Sequence, residues 1–130
     1  MSRTVTEQRS GRTILVVDDE PSVRRLVEKI LVAHGFAVLA APSGRVARRI
    51  LEGSSALDLA IVDLALADGP GEEVLSAARR CRPGLPLVVM SGYGERADQV
   101  TREGKADVVL PKPFDPGQLV DAVLSSLQED

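Results

Sequence analysis

The sequence predicts an α/β fold: an open, doubly wound five-stranded parallel sheet with five helices on its two faces. Three observations predict it. Short apolar runs alternate with helical stretches along the chain, three of those runs are almost wholly aliphatic, and 130 residues make one domain of ordinary size. A strand covered on both faces has no solvent side, so it reads as a continuous apolar run rather than an alternating one. Right-handed crossovers between parallel strands then distribute the helices over both faces.

Thr13-Ile14-Leu15-Val16-Val17 is the first run, rich in β-branched residues and ending at two aspartates. A helix is predicted over Pro21 to His34, with Pro21 suited to its first turn and Gly35 to its stop. Its inward stripe is Val23, Leu26, Val27, Ile30 and Leu31. Phe36 to Ala40 is the second strand, and Ser43 caps a helix to about Glu52 that turns Val46, Ile50 and Leu51 inward. Leu57 to Val62 is the third strand and ends at Asp63. Gly69 to Gly71 reads as a loop. The helix Gly71 to Cys81 buries Val74, Leu75 and Ala78 and is stopped by Pro83-Gly84. Pro86 to Met90 is the fourth strand and ends at Ser91. Glu95 to Glu103 is the thinnest helix, with Ala97 and Val100 to bury. Asp107 to Leu110 is the fifth strand and ends near Lys112. Asp115 and Pro116 open a last helix that turns Leu119, Val120, Val123, Leu124 and Leu127 inward. The predicted organisation is a flexible tail over residues 1–11, one domain over 12–128, and a short tail over 129–130.

Composition narrows the function. With one Tyr, two Phe and no Trp, the core must be aliphatic. A net charge of −3 leaves no electrostatic footprint for direct nucleic-acid binding. The arginine pairs Arg24-Arg25, Arg48-Arg49 and Arg79-Arg80 read as solvated faces. Cys81 is the one cysteine, so no intrachain disulfide can form, and a reducing cytoplasm is the expected setting. No apolar run approaches the ~20 residues of a membrane span. His34 reads as a helix-end residue compatible with the helix dipole.

The informative residues lie just past the apolar runs. A parallel sheet puts all its strand C-termini along one edge, where ligands bind. That edge collects Asp18, Asp19, Asp63, Ser91 and Lys112 from four separate segments. Three ionised carboxylates in one pocket repel each other, and a divalent cation removes the conflict. Oxygen ligands without His or Cys favour Mg²⁺ over zinc or copper, and Mn²⁺ is compatible too. Asp63 is then the candidate nucleophile, because a carboxylate is ionised at neutral pH and needs no general base. In-line attack on a phosphoryl donor gives an aspartyl phosphate, with Mg²⁺, Lys112 and the Ser91 hydroxyl neutralising the phosphoryl oxygens.

The segments ILVVDDEP (Ile14 to Pro21), LAIVD (Leu59 to Asp63), LVVMSGYG (Leu87 to Gly94) and LPKPF (Leu110 to Phe114) resemble the receiver domain of two-component response regulators. The resemblance runs from about Arg12 to Leu127. It implies strand order 2-1-3-4-5, the flavodoxin-like arrangement. It also implies Asp63 as phosphoacceptor, Asp19 as direct metal ligand and Asp18 as the acid acting through a metal-bound water. The Ala65 backbone carbonyl becomes a further metal ligand, Ser91 the phosphoryl-contacting hydroxyl, Lys112 the charge partner, and Lys112–Pro113 a cis peptide. The phosphoryl donor would be a phosphohistidine on a sensor histidine kinase or a histidine phosphotransfer protein. A downstream protein, or a homodimer formed through the fourth and fifth helices, would receive the signal.

Three positions depart from the family pattern. Val109 stands where the family carries an aromatic ring on strand five. Ala67 stands where proline is common, and Lys105, preceded by Gly104, where glycine is. Tyr93, the one tyrosine, lies two residues after Ser91 and is the candidate to signal in place of that ring and to shield the phosphate. Two other readings stay open. One is an interaction module of the same fold that works without phosphate, a reading that Val109 sustains. The other is an aspartate-nucleophile phosphatase, although those resemble Asp-x-Asp after strand one, whereas here Asp18 and Asp19 are adjacent. A dinucleotide site lacks its glycine motif after the first strand.

Overall fold

The structure, a computed structural model, describes residues 11–92 and 97–127. Residues 1–10, Tyr93, the predicted helix start at Glu95 and residues 128–130 lie outside the described residues, as does the side chain of Ala97.

Five strands form one parallel sheet: β1 (Thr13–Val17), β2 (Ala37–Ala41), β3 (Leu59–Asp63), β4 (Leu87–Ser91) and β5 (Val108–Pro111). Their spatial order is β2-β1-β3-β4-β5, the predicted one. The chain reverses its direction of travel across the sheet between β1 and β3, so those two strand ends flank the crevice where such sheets bind ligands. The helices are α1 (Pro21–Ala33), α2 (Gly44–Glu52), α3 (Gly71–Cys81), α4 (Ala97–Arg102) and α5 (Pro116–Leu127).

Residue alternation along the strands sorts the core into two layers. Ile14, Val16, Leu59, Ile61, Val88 and Met90 point to one face, beneath α1 and α5. Leu15, Val17, Ala60, Val62, Leu87 and Val89 point to the other, beneath α2 and α3. All of β3 and β4 is buried, which is why both read as unbroken aliphatic runs. Each fully buried Val, Leu or Ile contributes on the order of 1.5–3 kcal/mol, so a mainly aliphatic core needs little aromatic mass beyond Phe36.

Several boundaries differ from the sequence expectation. β2 starts at Ala37, because the Phe36 N–H bonds the Leu31 carbonyl at the end of α1 and its ring is buried in the core. β3 starts at Leu59 and β5 at Val108. Leu26 is 51% exposed rather than inward. Burial on α1 centres on Val27 and Leu31, and Leu26 lies about 120° of helical rotation from that centre. Gly69 belongs to a two-residue antiparallel ladder, Ala65–Leu66 against Gly69–Pro70, that closes the segment between β3 and α3.

Candidate functional site

The C-terminal edge of the sheet carries the site. Asp18 follows β1 directly, and its N–H bonds the Ala41 carbonyl at the end of β2 (3.2 Å). Asp63 is the last residue of β3, Ser91 the last of β4, and Lys112 follows β5, its N–H bonded to the Ser91 carbonyl (2.7 Å). Strand pairing therefore delivers each residue to the same edge, although Asp18 and Lys112 are 94 positions apart in sequence.

The side chains meet. Lys112 Nζ donates to Asp63 Oδ2 at 3.1 Å and to Asp18 Oδ2 at 3.4 Å. Asp63 Oδ1 accepts from the Ala65 N–H (3.1 Å), and Asp18 Oδ1 accepts from the Glu20 N–H (2.9 Å). Carboxylate oxygens of Asp18, Asp19 and Asp63 lie within 4.8 Å of one another. Asp18 is fully buried, Asp63 and Ser91 are buried, and Asp19 is half-buried. The Ser91 hydroxyl donates to the Gly92 carbonyl (3.2 Å). Ala65 and Pro113 are exposed and Val109 half-buried; the Lys112–Pro113 peptide is cis.

Among the described residues the site is acidic, with Lys112 as its one cation. Burial, reinforced by the Asp63 charge, pushes the Asp18 carboxyl above the usual carboxylate range, against the Glu20 N–H and Lys112, which stabilise its charge. Burial acts to lower the Lys112 ammonium, but the hydrogen bond to Asp63 and the charges of both aspartates outweigh it and hold it above its ordinary value. Among the described residues one ammonium, in contact with Asp18 and Asp63, stands against a cluster of three carboxyl groups, so positive charge is in deficit there. An all-oxygen donor set with that deficit fits a hard divalent cation such as Mg²⁺.

Three supports were not legible in the sequence. Arg24, one of the arginines read as solvated, is half-buried and donates through Nη1 to the Asp18 carbonyl at 2.8 Å. Gly71 packs so closely on the end of β3 that a Cβ there would overlap the Asp63 carbonyl oxygen, and its N–H bonds the Leu64 carbonyl (2.8 Å). Asp68 accepts from the Gly44 and Arg45 N–H groups, both at 3.0 Å. Asp68-Gly69 reads locally as nothing more than a turn. The other arginine pairs are partly engaged as well: Arg48 pairs with Glu73, Arg79 with Asp107 and Arg80 with Glu52.

Comparison with known proteins places this geometry. A family profile described as "Response regulator receiver domain" matches residues 14–124. Protein PetR of Rhodobacter capsulatus is 34% identical over 122 residues, which is 89% of this chain and 50% of PetR. The photosynthetic apparatus regulatory protein RegA of Rhodobacter capsulatus is 33% identical over 118 residues, 89% of this chain and 63% of RegA. The chain thus spans about a half to two thirds of these two relatives. The crystal structure of a response regulator receiver protein from Sinorhizobium medicae superposes with a TM-score of 0.80 at 35% identity, covering 89% of this chain and 94% of that one. No helix among the described residues is long and apolar enough to cross a membrane. The chain belongs to the response regulator receiver domain family.

Proposed function

We propose that this chain is a phosphoacceptor switch over residues 12–128, in which Asp63 takes a phosphoryl group from a phosphohistidine on a sensor histidine kinase or histidine phosphotransfer protein. The observation that carries this reading is the contact between Asp63 Oδ2 and Lys112 Nζ at 3.1 Å, beside two further acids at the ligand-binding edge of the sheet. An Asp63 carboxylate oxygen attacks phosphorus, the phosphorus–nitrogen bond to the donor imidazole breaks, and the imidazole leaves with that electron pair and takes up a proton. Asp18, Asp19, Asp63 and the Ala65 carbonyl would hold Mg²⁺, which when bound offsets the charge of the phosphoryl oxygens. Lys112 already lies against Asp63 and balances the added charge. The buried Ser91 hydroxyl, which donates to the Gly92 carbonyl, would turn to the phosphoryl group instead. The chain promotes its own phosphorylation and dephosphorylation and turns over no separate substrate.

Ala65 presents a methyl group that cannot orient an attacking water, which supports slow self-hydrolysis. Incubation with acetyl phosphate and Mg²⁺ is expected to label the wild type and not Asp63→Asn, with a phosphoryl lifetime of minutes or longer. No labelling of the wild type, together with no response to beryllofluoride, would favour the phosphate-independent interaction module. Half-buried Val109, without the family's aromatic ring, is the observation behind that second reading.

A further inference from the structure

We infer that Asp68 is a positioning residue for the acceptor site: its carboxylate ties the segment after Asp63 to the first turn of α2 and thereby fixes the Ala65 peptide. The inference deepens the phosphoacceptor reading and rests on it. Asp68 Oδ1 accepts from the Gly44 N–H and Oδ2 from the Arg45 N–H, each at 3.0 Å, across 24 and 23 positions of sequence.

These bonds join a loop to a helix rather than merely capping the helix. α2 has its own N-cap, since the Ser43 hydroxyl accepts from the Val46 N–H at 3.1 Å. Gly44 is buried, and a Cβ there would press on Asp68 Oδ1 and Val74. The loop is a short closed unit. Its base is set by the Gly71 N–H on the Leu64 carbonyl, its sides by the pairing of Ala65 with Pro70 and Leu66 with Gly69, and its tip holds Asp68. Ala65, one residue from the base, donates its N–H to Asp63 Oδ1. A tip fixed to α2 and a base fixed to α3 leave the Ala65 peptide little room to rotate. The two N–H donors also hold the Asp68 carboxyl below the usual carboxylate range, so both bonds are charge-assisted at neutral pH.

The test uses Asp68→Ala and Asp68→Asn, with Glu52→Gln as a charge-matched control in the last turn of α2. Amide hydrogen exchange is read first, without metal. In Asp68→Ala the Gly44, Arg45 and Ala65 amides are expected to exchange about fivefold faster or more. Amide-shift titration with Mg²⁺ is then expected to give a dissociation constant about three- to tenfold weaker, at or below the usual cost of losing an outer support of a metal site. Asp68→Asn keeps one acceptor oxygen and should fall between; it carries the test if the alanine variant does not fold. The control should match the wild type in both. Variants that melt earlier but leave the Ala65 amide and the Mg²⁺ constant unmoved overturn the inference alone, because that is the pattern of a purely structural tie. A wild type that does not bind Mg²⁺ overturns the phosphoacceptor reading and this role with it.

Discussion

The Asp18 carboxylate bears two penalties together, full burial and an acidic neighbour, and neither Lys112 nor the Glu20 N–H cancels them. Its proton is therefore held more tightly in the native chain than in the unfolded one. A group with a raised folded value contributes stability that is present below the ordinary value of 3.8 and lost as pH rises through the folded value. At neutral pH the metal-free protein carries the whole penalty. Asp18→Asn keeps an oxygen for the Glu20 N–H and leaves Lys112 its shorter contact, the one to Asp63. Metal-free Asp18→Asn should be more stable than wild type by about 1 kcal/mol at neutral pH, an ordinary size for one substitution. That gain should fade toward about pH 4, where the wild-type acid is protonated. Urea midpoints followed by circular dichroism in a chelator measure both; a lower midpoint for the variant at neutral pH contradicts this account. Lys112 works in the opposite range. Its raised value gives stability that persists through neutral pH and is lost only above 10.5, as pH rises through the folded value.

At the scale of elements, α2 is fastened at both ends by the chain that surrounds α3. Asp68 holds its first turn, and Arg82, just past α3, takes its last carbonyls. Arg82 Nε donates to Leu51 O at 3.0 Å, and Nη2 to Gly53 O at 3.0 Å and Ile50 O at 3.4 Å. A guanidinium at a helix C-terminus satisfies orphan carbonyls and opposes the negative end of the dipole. Arg82→Met keeps much of the stem and removes the donors, and should cost about 1–2 kcal/mol, read as a lower urea midpoint with an unchanged slope. No loss would show that water replaces the cap. The strands use a similar device. Asp58 Oδ2 takes the first N–H of β1, at Thr13 (2.7 Å), and Asp107 Oδ2 takes the first N–H of β4, at Leu87 (2.8 Å). Strand runs and helical stripes were legible in sequence because burial writes a period into the chain. These fastenings were not, since each joins residues 20 to 45 positions apart and leaves no local pattern. In the site the distinction is one of position rather than separation: Asp18, Asp63 and Lys112 were legible and Arg24, Asp68 and Gly71 were not. The first three stand at strand ends, a position the sequence marks, whereas the others act through contacts with backbone.

At the scale of the molecule, the two core layers share one sheet, and successive residues of β1, β3 and β4 alternate between them. Neither layer can be lost while the strands keep their pairing, so the domain should unfold as one cooperative unit. The site lies on the same three strands together with β5, which links its occupancy to the whole fold. A cation bound by the native edge and not by the unfolded chain adds RT ln(1 + [L]/Kd), about 2.7 kcal/mol at a hundredfold excess over Kd. Increasing Mg²⁺ should therefore move the entire urea transition of the wild type to higher midpoint, with its slope unchanged, because the surface exposed on unfolding is the same. Asp63→Asn, with one acid fewer in the cluster, should respond more weakly. Asp18→Asn should lose at neutral pH its advantage over wild type, because the cation offsets in wild type the same repulsion that the substitution removes. A Mg²⁺-dependent second transition, or a slope that changes with the ion, would mean that the edge and the core unfold separately. The shared sheet would then not couple them.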